Sequence, residues 1–174
     1  MGEDLKKTDL DLFSAVKRRF DLPDADIRTY SPLTLAYIGD GIYEVIIRSA
    51  VSGSGGLNAA QMNKRAGALV RAQAQSEMMK HIRPLLSREE DDYYRRGRNA
   101  HPHTRARHAT RADYMRATGF ETLMGYLYLT GRTERMLELI KTGMDAVQSA
   151  PQARDLPEKS ENRRKAKRAD GIQE

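Results

Sequence analysis

The sequence predicts an all-α protein. Apolar residues recur at helical spacing through nearly the whole chain, with Ser, Asn and Thr at the starts of the runs. Strand-like alternation is not evident, and β-branched clusters are sparse. Leu12, Phe13, Val16 and Phe20, preceded by Leu10, form a first amphipathic helix that Pro23 ends. Ser31-Pro32 supplies an N-cap and a first helical residue for a helix to about Ser49. Ser52-Gly53-Ser54-Gly55-Gly56 is a loop. Asn58 caps a long helix to about His81, stopped by Pro84. Ser87 and Glu90 have capping-box spacing and open a short helix to about Arg96. Gly97 to about Thr110 reads as irregular. A helix then covers about Arg111 to Leu129, Gly131 breaks it, and Thr133 caps a last helix to about Gln148.

Three parts follow from this pattern. Residues 1–29 form an N-terminal helical segment that packs on the domain, 30–148 the main domain, and 149–174 a polar, basic tail expected to be disordered. With 174 residues the chain buries a real core, on the order of two thirds of its unfolded surface. Lys and Arg number 30 against 24 Asp and Glu, and the net charge of +6 favours an anionic partner. The absence of cysteine excludes disulfides, thiolate metal sites and thiol nucleophiles. The start of the chain does not read as a signal peptide, and no apolar run is long enough to span a membrane, so a soluble cytoplasmic protein is expected.

The most unusual stretch is Tyr37-Ile38-Gly39-Asp40-Gly41-Ile42-Tyr43-Glu44. Each glycine inside a helix costs about 1 kcal/mol relative to alanine. A buried, unpaired carboxylate costs more still. Glu121 sits in a similar setting, Gly119-Phe120-Glu121-Thr122-Leu123-Met124-Gly125. Small residues, Ala36, Gly39 and Gly41 on one helix and Ala117, Thr118 and Gly125 on the other, would let the two helices approach. Asp40 and Glu121 could then converge on a metal, and two acidic residues suffice for Mg²⁺, which keeps waters and substrate oxygens. Glu44, one turn after Asp40, is an additional candidate ligand. The competing reading pairs Asp40 and Glu44 with arginines such as Arg48 or Arg65.

From Tyr93 to Ala112 there is no acidic residue, while Arg95, Arg96, Arg98, Arg105, Arg107 and Arg111 fall there with His101, His103 and His108. Such a segment suits a phosphate backbone, and Asn99 can hydrogen-bond sugars or phosphates. The plain alternative is a solvated loop balancing Glu89 to Asp92. A zinc site on the histidines fits no familiar ligand spacing. Lys64, Arg65 and Arg71 make a second cluster, with Lys64 and Arg71 on one face of the long helix. The tail run Arg163 to Arg168 could add non-specific affinity for RNA.

Leu35 to Glu44 resembles the signature helix of the ribonuclease III endonuclease domain. Arg96-Gly97-Arg98-Asn99 and Phe120 to Leu129 are similar to its later blocks, in the same order. The resemblance covers about residues 30 to 145 and is to the short branch, the Mini-ribonuclease III enzymes. It implies a dimeric all-helical fold, Mg²⁺ dependence with Mn²⁺ as a substitute, and cleavage of double-stranded RNA. By resemblance Asp40 and Glu121 are the metal-binding catalytic residues. Two further carboxylates of the longer members fall on Ala36 and Thr118.

The resemblance also implies that the catalytic domain must hold RNA itself, because too few apolar residues follow Gln148 for a double-stranded-RNA-binding domain. Arg95, Arg96, Arg98, Asn99, Arg105 and Arg107, with Lys64 and Arg71, are the expected contacts. The implied substrate is the precursor of large-subunit (23S) ribosomal RNA, trimmed at its ends by a homodimer whose signature helices meet at the interface. The rivals are a non-catalytic, ribosome-associated RNA-binding protein of the same fold and a small DNA-binding regulator. Both acidic residues favour the enzyme.

Overall fold

A computed structural model describes residues 12–100 and 110–149. Among these residues all regular structure is helical: α1 (Leu12–Arg19), α2 (Pro32–Gly53), α3 (Ala59–Leu69), α4 (Ala72–Ile82), α5 (Arg88–Asn99), α6 (Arg111–Leu129) and α7 (Thr133–Ser149). Short 3-10 turns lie at Ile27–Thr29 and Arg83–Leu85.

Helix α6 is the axis. From Ala117 to Tyr128 every residue but Glu121 is buried, because α2, α4, α5 and α7 pack around it. A helix apolar around its circumference must be enclosed. Tyr43 meets Phe120 edge-on at 4.9 Å between ring centres, and Phe13 of α1 reaches Tyr128 at 5.8 Å.

The helix starts follow the expected chemistry. Ser31 Oγ accepts from the Thr34 amide at 3.0 Å. Asn58 with Gln61 and Ser87 with Glu90 form reciprocal capping boxes. Glu90, buried, also accepts from Arg135 Nε at 3.0 Å and Nη2 at 3.1 Å, clamping α5 to α7. Gly131 takes a left-handed φ of 70° and ends α6. Thr133 is the first residue of α7 rather than its cap.

Three expectations change. The helix from Asn58 to His81 is two helices, broken at Val70 and Arg71. The break frees the Leu69 carbonyl, which accepts from the buried Tyr43 hydroxyl at 3.1 Å, so a tertiary bond replaces a helical one. Lys64 and Arg71 therefore do not share a helix face. Helix α2 runs to Gly53 rather than Ser49. Helix α5 continues through Gly97 to Asn99, because Gly97 serves packing rather than termination. A β-carbon there would lie 2.1 Å from Thr122 Oγ1 on α6. The expected tail beyond Ser149 lies outside the described residues.

Candidate active site

The crossing of α2 and α6 positions the two carboxylates. A β-carbon on Gly39 would stand 1.8 Å from the Glu121 carbonyl oxygen, and one on Gly125 would stand 2.0 Å from the Leu35 carbonyl oxygen. The backbones thus touch at both points, and only glycine permits it. Asp40 follows Gly39 in the chain, so the same contact carries it to Glu121. Gly41, expected to join this approach, faces open space instead. It lies on the other side of α2 from Gly39.

The electrostatics match a site short of positive charge. Burial pushes the Glu121 carboxyl up to about 8, the Asp40 charge adds to the rise, and the Gln75 amide opposes it. Asp40 is also raised, by desolvation and then by Glu44. Neither Asp40 nor Glu121 has an ion-pair partner among the described residues. Glu44 does: Arg48 Nη2 donates to it at 2.6 Å, the arrangement the plainer reading of Glu44 expected.

Two hard oxygen donors, both with raised proton affinity and the second raised in part by the first, form a donor set suited to Mg²⁺ or Mn²⁺. A bound cation would remove the cost that burial and repulsion now impose. The set is sparse. No group of three or more His, Cys, Asp or Glu side chains is arranged to hold a metal among the described residues. Ala36 and Thr118 stand one turn before Asp40 and Glu121, and the Thr118 hydroxyl donates to the Tyr114 carbonyl at 3.1 Å. Neither position adds a carboxylate.

The basic residues divide. Arg95, Arg98 and Asn99 are exposed on the last turns of α5, where cations also suit the helix dipole. Arg96 is anchored within the fold: it donates to the Tyr30 carbonyl at 3.3 Å and lies 4.9 Å over the Tyr93 ring. Lys64 is exposed on α3, and Arg71 precedes α4 and donates to the Gly67 carbonyl at 3.1 Å. Arg105, Arg107 and the three histidines lie outside the described residues.

Gln75 was not among the expected site residues. It occupies α4 in register with Met78, Met79 and Ile82, at the i, i+3, i+4 and i+7 positions of a core-facing stripe. A glutamine on such a stripe was the signal in the sequence.

The Ribonuclease III domain family matches residues 33–132. The chain belongs to the ribonuclease III family. It is 40% identical over 120 residues to Mini-ribonuclease 3 of Symbiobacterium thermophilum, covering 69% of this chain and 92% of that one. It is 38% identical over 128 residues to Mini-ribonuclease 3 of Clostridium tetani, covering 73% and 85%. A crystal structure of a Fusobacterium nucleatum protein superposes with a TM-score of 0.63 at 32% identity, covering 71% of this chain and 98% of that one. Membership in the ribonuclease III family makes the chain an endoribonuclease. The matched span contains α2 from its second residue through all of α6, so the Asp40–Glu121 crossing lies wholly inside the ribonuclease III domain.

Proposed function

We propose that this endoribonuclease cleaves double-stranded RNA using divalent metal, Mg²⁺ with Mn²⁺ as a substitute, held by Asp40 and Glu121. The observation that supports the reading is the Gly39–Gly125 contact of α2 and α6, near which lie two carboxylates without ion-pair partners, Asp40 close enough to raise the Glu121 carboxyl. A divalent cation supplies charge compensation at the phosphate and lowers the pKa of bound water. Asp40 and Glu121 hold that charge in place, Asp40 toward solvent and Glu121 deeper in the fold. The exposed Arg95, Arg98 and Asn99 bind the RNA backbone, with Arg105, Arg107, Lys64 and Arg71 extending the contact. Arg96 orients the end of α5 through Tyr30 and Tyr93.

A homodimer completes the reading. Leu33, Tyr37, Gly41 and Val45 recur every four residues on α2, and this stripe is uncovered: Tyr37 is 84% and Val45 56% exposed. A stripe of this kind on the family's signature helix suits self-association about a two-fold axis. Two sites related by that axis would cut both strands of a duplex. The substrate that fits the family branch is the precursor of large-subunit ribosomal RNA. The test is incubation of a perfect RNA duplex with the protein in Mg²⁺, in Mn²⁺ or in chelator, beside Asp40→Asn and Glu121→Gln. Cleavage only by the wild type in metal supports the reading. Intact RNA in both metals would favour the non-catalytic RNA-binding alternative.

A further inference from the structure

Gln75 is 1% exposed, yet neither its Oε1 nor its Nε2 has a hydrogen-bond partner among the described residues. Its neighbour Ser76, equally buried, shows how such a group is normally served on this helix: its hydroxyl donates to Asp113 at 2.8 Å and accepts from Arg116 at 3.3 Å. Folded proteins seldom bury a primary amide with both ends unmet. Methionine, which the same stripe uses twice at Met78 and Met79, would fill the space without that penalty. Stability therefore does not explain the glutamine.

Its location does. Helix α4 packs along α6, which brings the Gln75 amide toward the Glu121 carboxyl, short of a formed hydrogen bond but near enough to oppose the rise in its pKa. An amide offers a donor and an acceptor on one rigid plane. The donor end complements the carboxylate, and a charge-assisted bond there would fix its rotation. The acceptor end remains for a water retained beside the site. We infer that Gln75 is a positioning residue that orients Glu121 toward Asp40 through its amide N–H and receives an ordered water at its carbonyl oxygen. This rests on the metal-holding role proposed above for Asp40 and Glu121. It also answers the sparse donor set: with Ala36 and Thr118 contributing no carboxylate, the orientation of each remaining one matters more.

The test uses the full-length protein and Mn²⁺ alone, titrated by calorimetry without RNA, on the wild type, Gln75→Met and Gln75→Leu. Removing a partner that orients a metal ligand weakens affinity roughly 10–100-fold. The expected result is that drop in affinity, with a melting temperature held or raised, and a fall in kcat on an RNA duplex at unchanged KM. A merely structural glutamine gives the opposite pattern, lower melting temperature with Mn²⁺ affinity intact, and that pattern overturns the inference. Failure of both variants to fold overturns it too, since the amide would then serve the fold. A wild type that binds no Mn²⁺, or Asp40→Asn binding it unchanged, instead overturns the site reading beneath it.

Discussion

Replacing Glu121 by glutamine should stabilise the metal-free protein by a margin that grows as pH rises above about 4.5 and is full above about 8. The Glu121 carboxyl rises from 4.5 to about 8 in the fold. Between those values the folded state keeps a proton that the unfolded state has released. Stability of the wild type therefore falls as pH rises through this window and levels off above about pH 8. Taken at face value the shift is worth about 5 kcal/mol at about 1.36 kcal/mol per unit. Water reaches the pair from the Asp40 side and the site relaxes on ionisation, which reduces this to roughly 1–3 kcal/mol. In a domain of this size that is about 3–8 °C in melting temperature. Glutamine keeps the shape and cannot ionise. Thermal unfolding in chelator should show Glu121→Gln matching the wild type at about pH 5 and exceeding it by that margin at about pH 9. Mn²⁺ should then raise the wild type and leave the variant unmoved. Equal melting temperatures at alkaline pH would refute the reasoning, because Glu121 would then be an ordinary solvated carboxylate.

Gly39→Ala drives a methyl group into the Glu121 backbone. It should lower stability by about 1–3 kcal/mol or more and abolish cleavage, as read by denaturant melts and a duplex assay. Tyr37→Glu places a charge on the uncovered stripe of α2; sedimentation should show monomers with unchanged helical content, and an intact dimer would remove that stripe from the interface. Changing Arg95 and Arg98 together to alanine should weaken duplex binding and reduce its salt slope by about 1 for each phosphate left without its arginine. Glu90→Gln breaks the buried pair with Arg135, and urea melts should show a destabilisation of about 2–4 kcal/mol at neutral pH. Burial raises the Glu90 carboxyl, but bonds from Arg135 and the Ser87 amide outweigh it and leave it below 4.5. This contribution is therefore present above 4.5 and fades as pH falls through the folded value.

The helices were legible wherever local chemistry decided them. Ser31-Pro32, Asn58, and Ser87 with Glu90 announced three starts that the fold uses. What escaped was set by tertiary contact. The break at Val70 has no proline or glycine at it; it answers to the Tyr43 hydroxyl on the Leu69 carbonyl. Gly97 looked like a stop signal and is a packing residue against Thr122. At the site, the glycine-flanked Asp40 and the setting of Glu121 pointed to a close crossing, and Gly39 and Gly125 make it. Gly41 has the same composition signal but faces outward, a difference fixed by its position around the helix. Gln75 was readable only by treating a polar residue on an apolar stripe as an anomaly.

Cleavage of a perfect RNA duplex tests the central claim most directly. Wild type, Asp40→Asn and Glu121→Gln are compared in Mg²⁺ and in chelator, with duplex binding measured alongside. The wild type should cut both strands in Mg²⁺ and neither in chelator, while both variants bind the duplex and leave it whole. Undiminished cutting by either variant, or cutting in chelator, would contradict the assignment of the reaction to the Asp40–Glu121 pair.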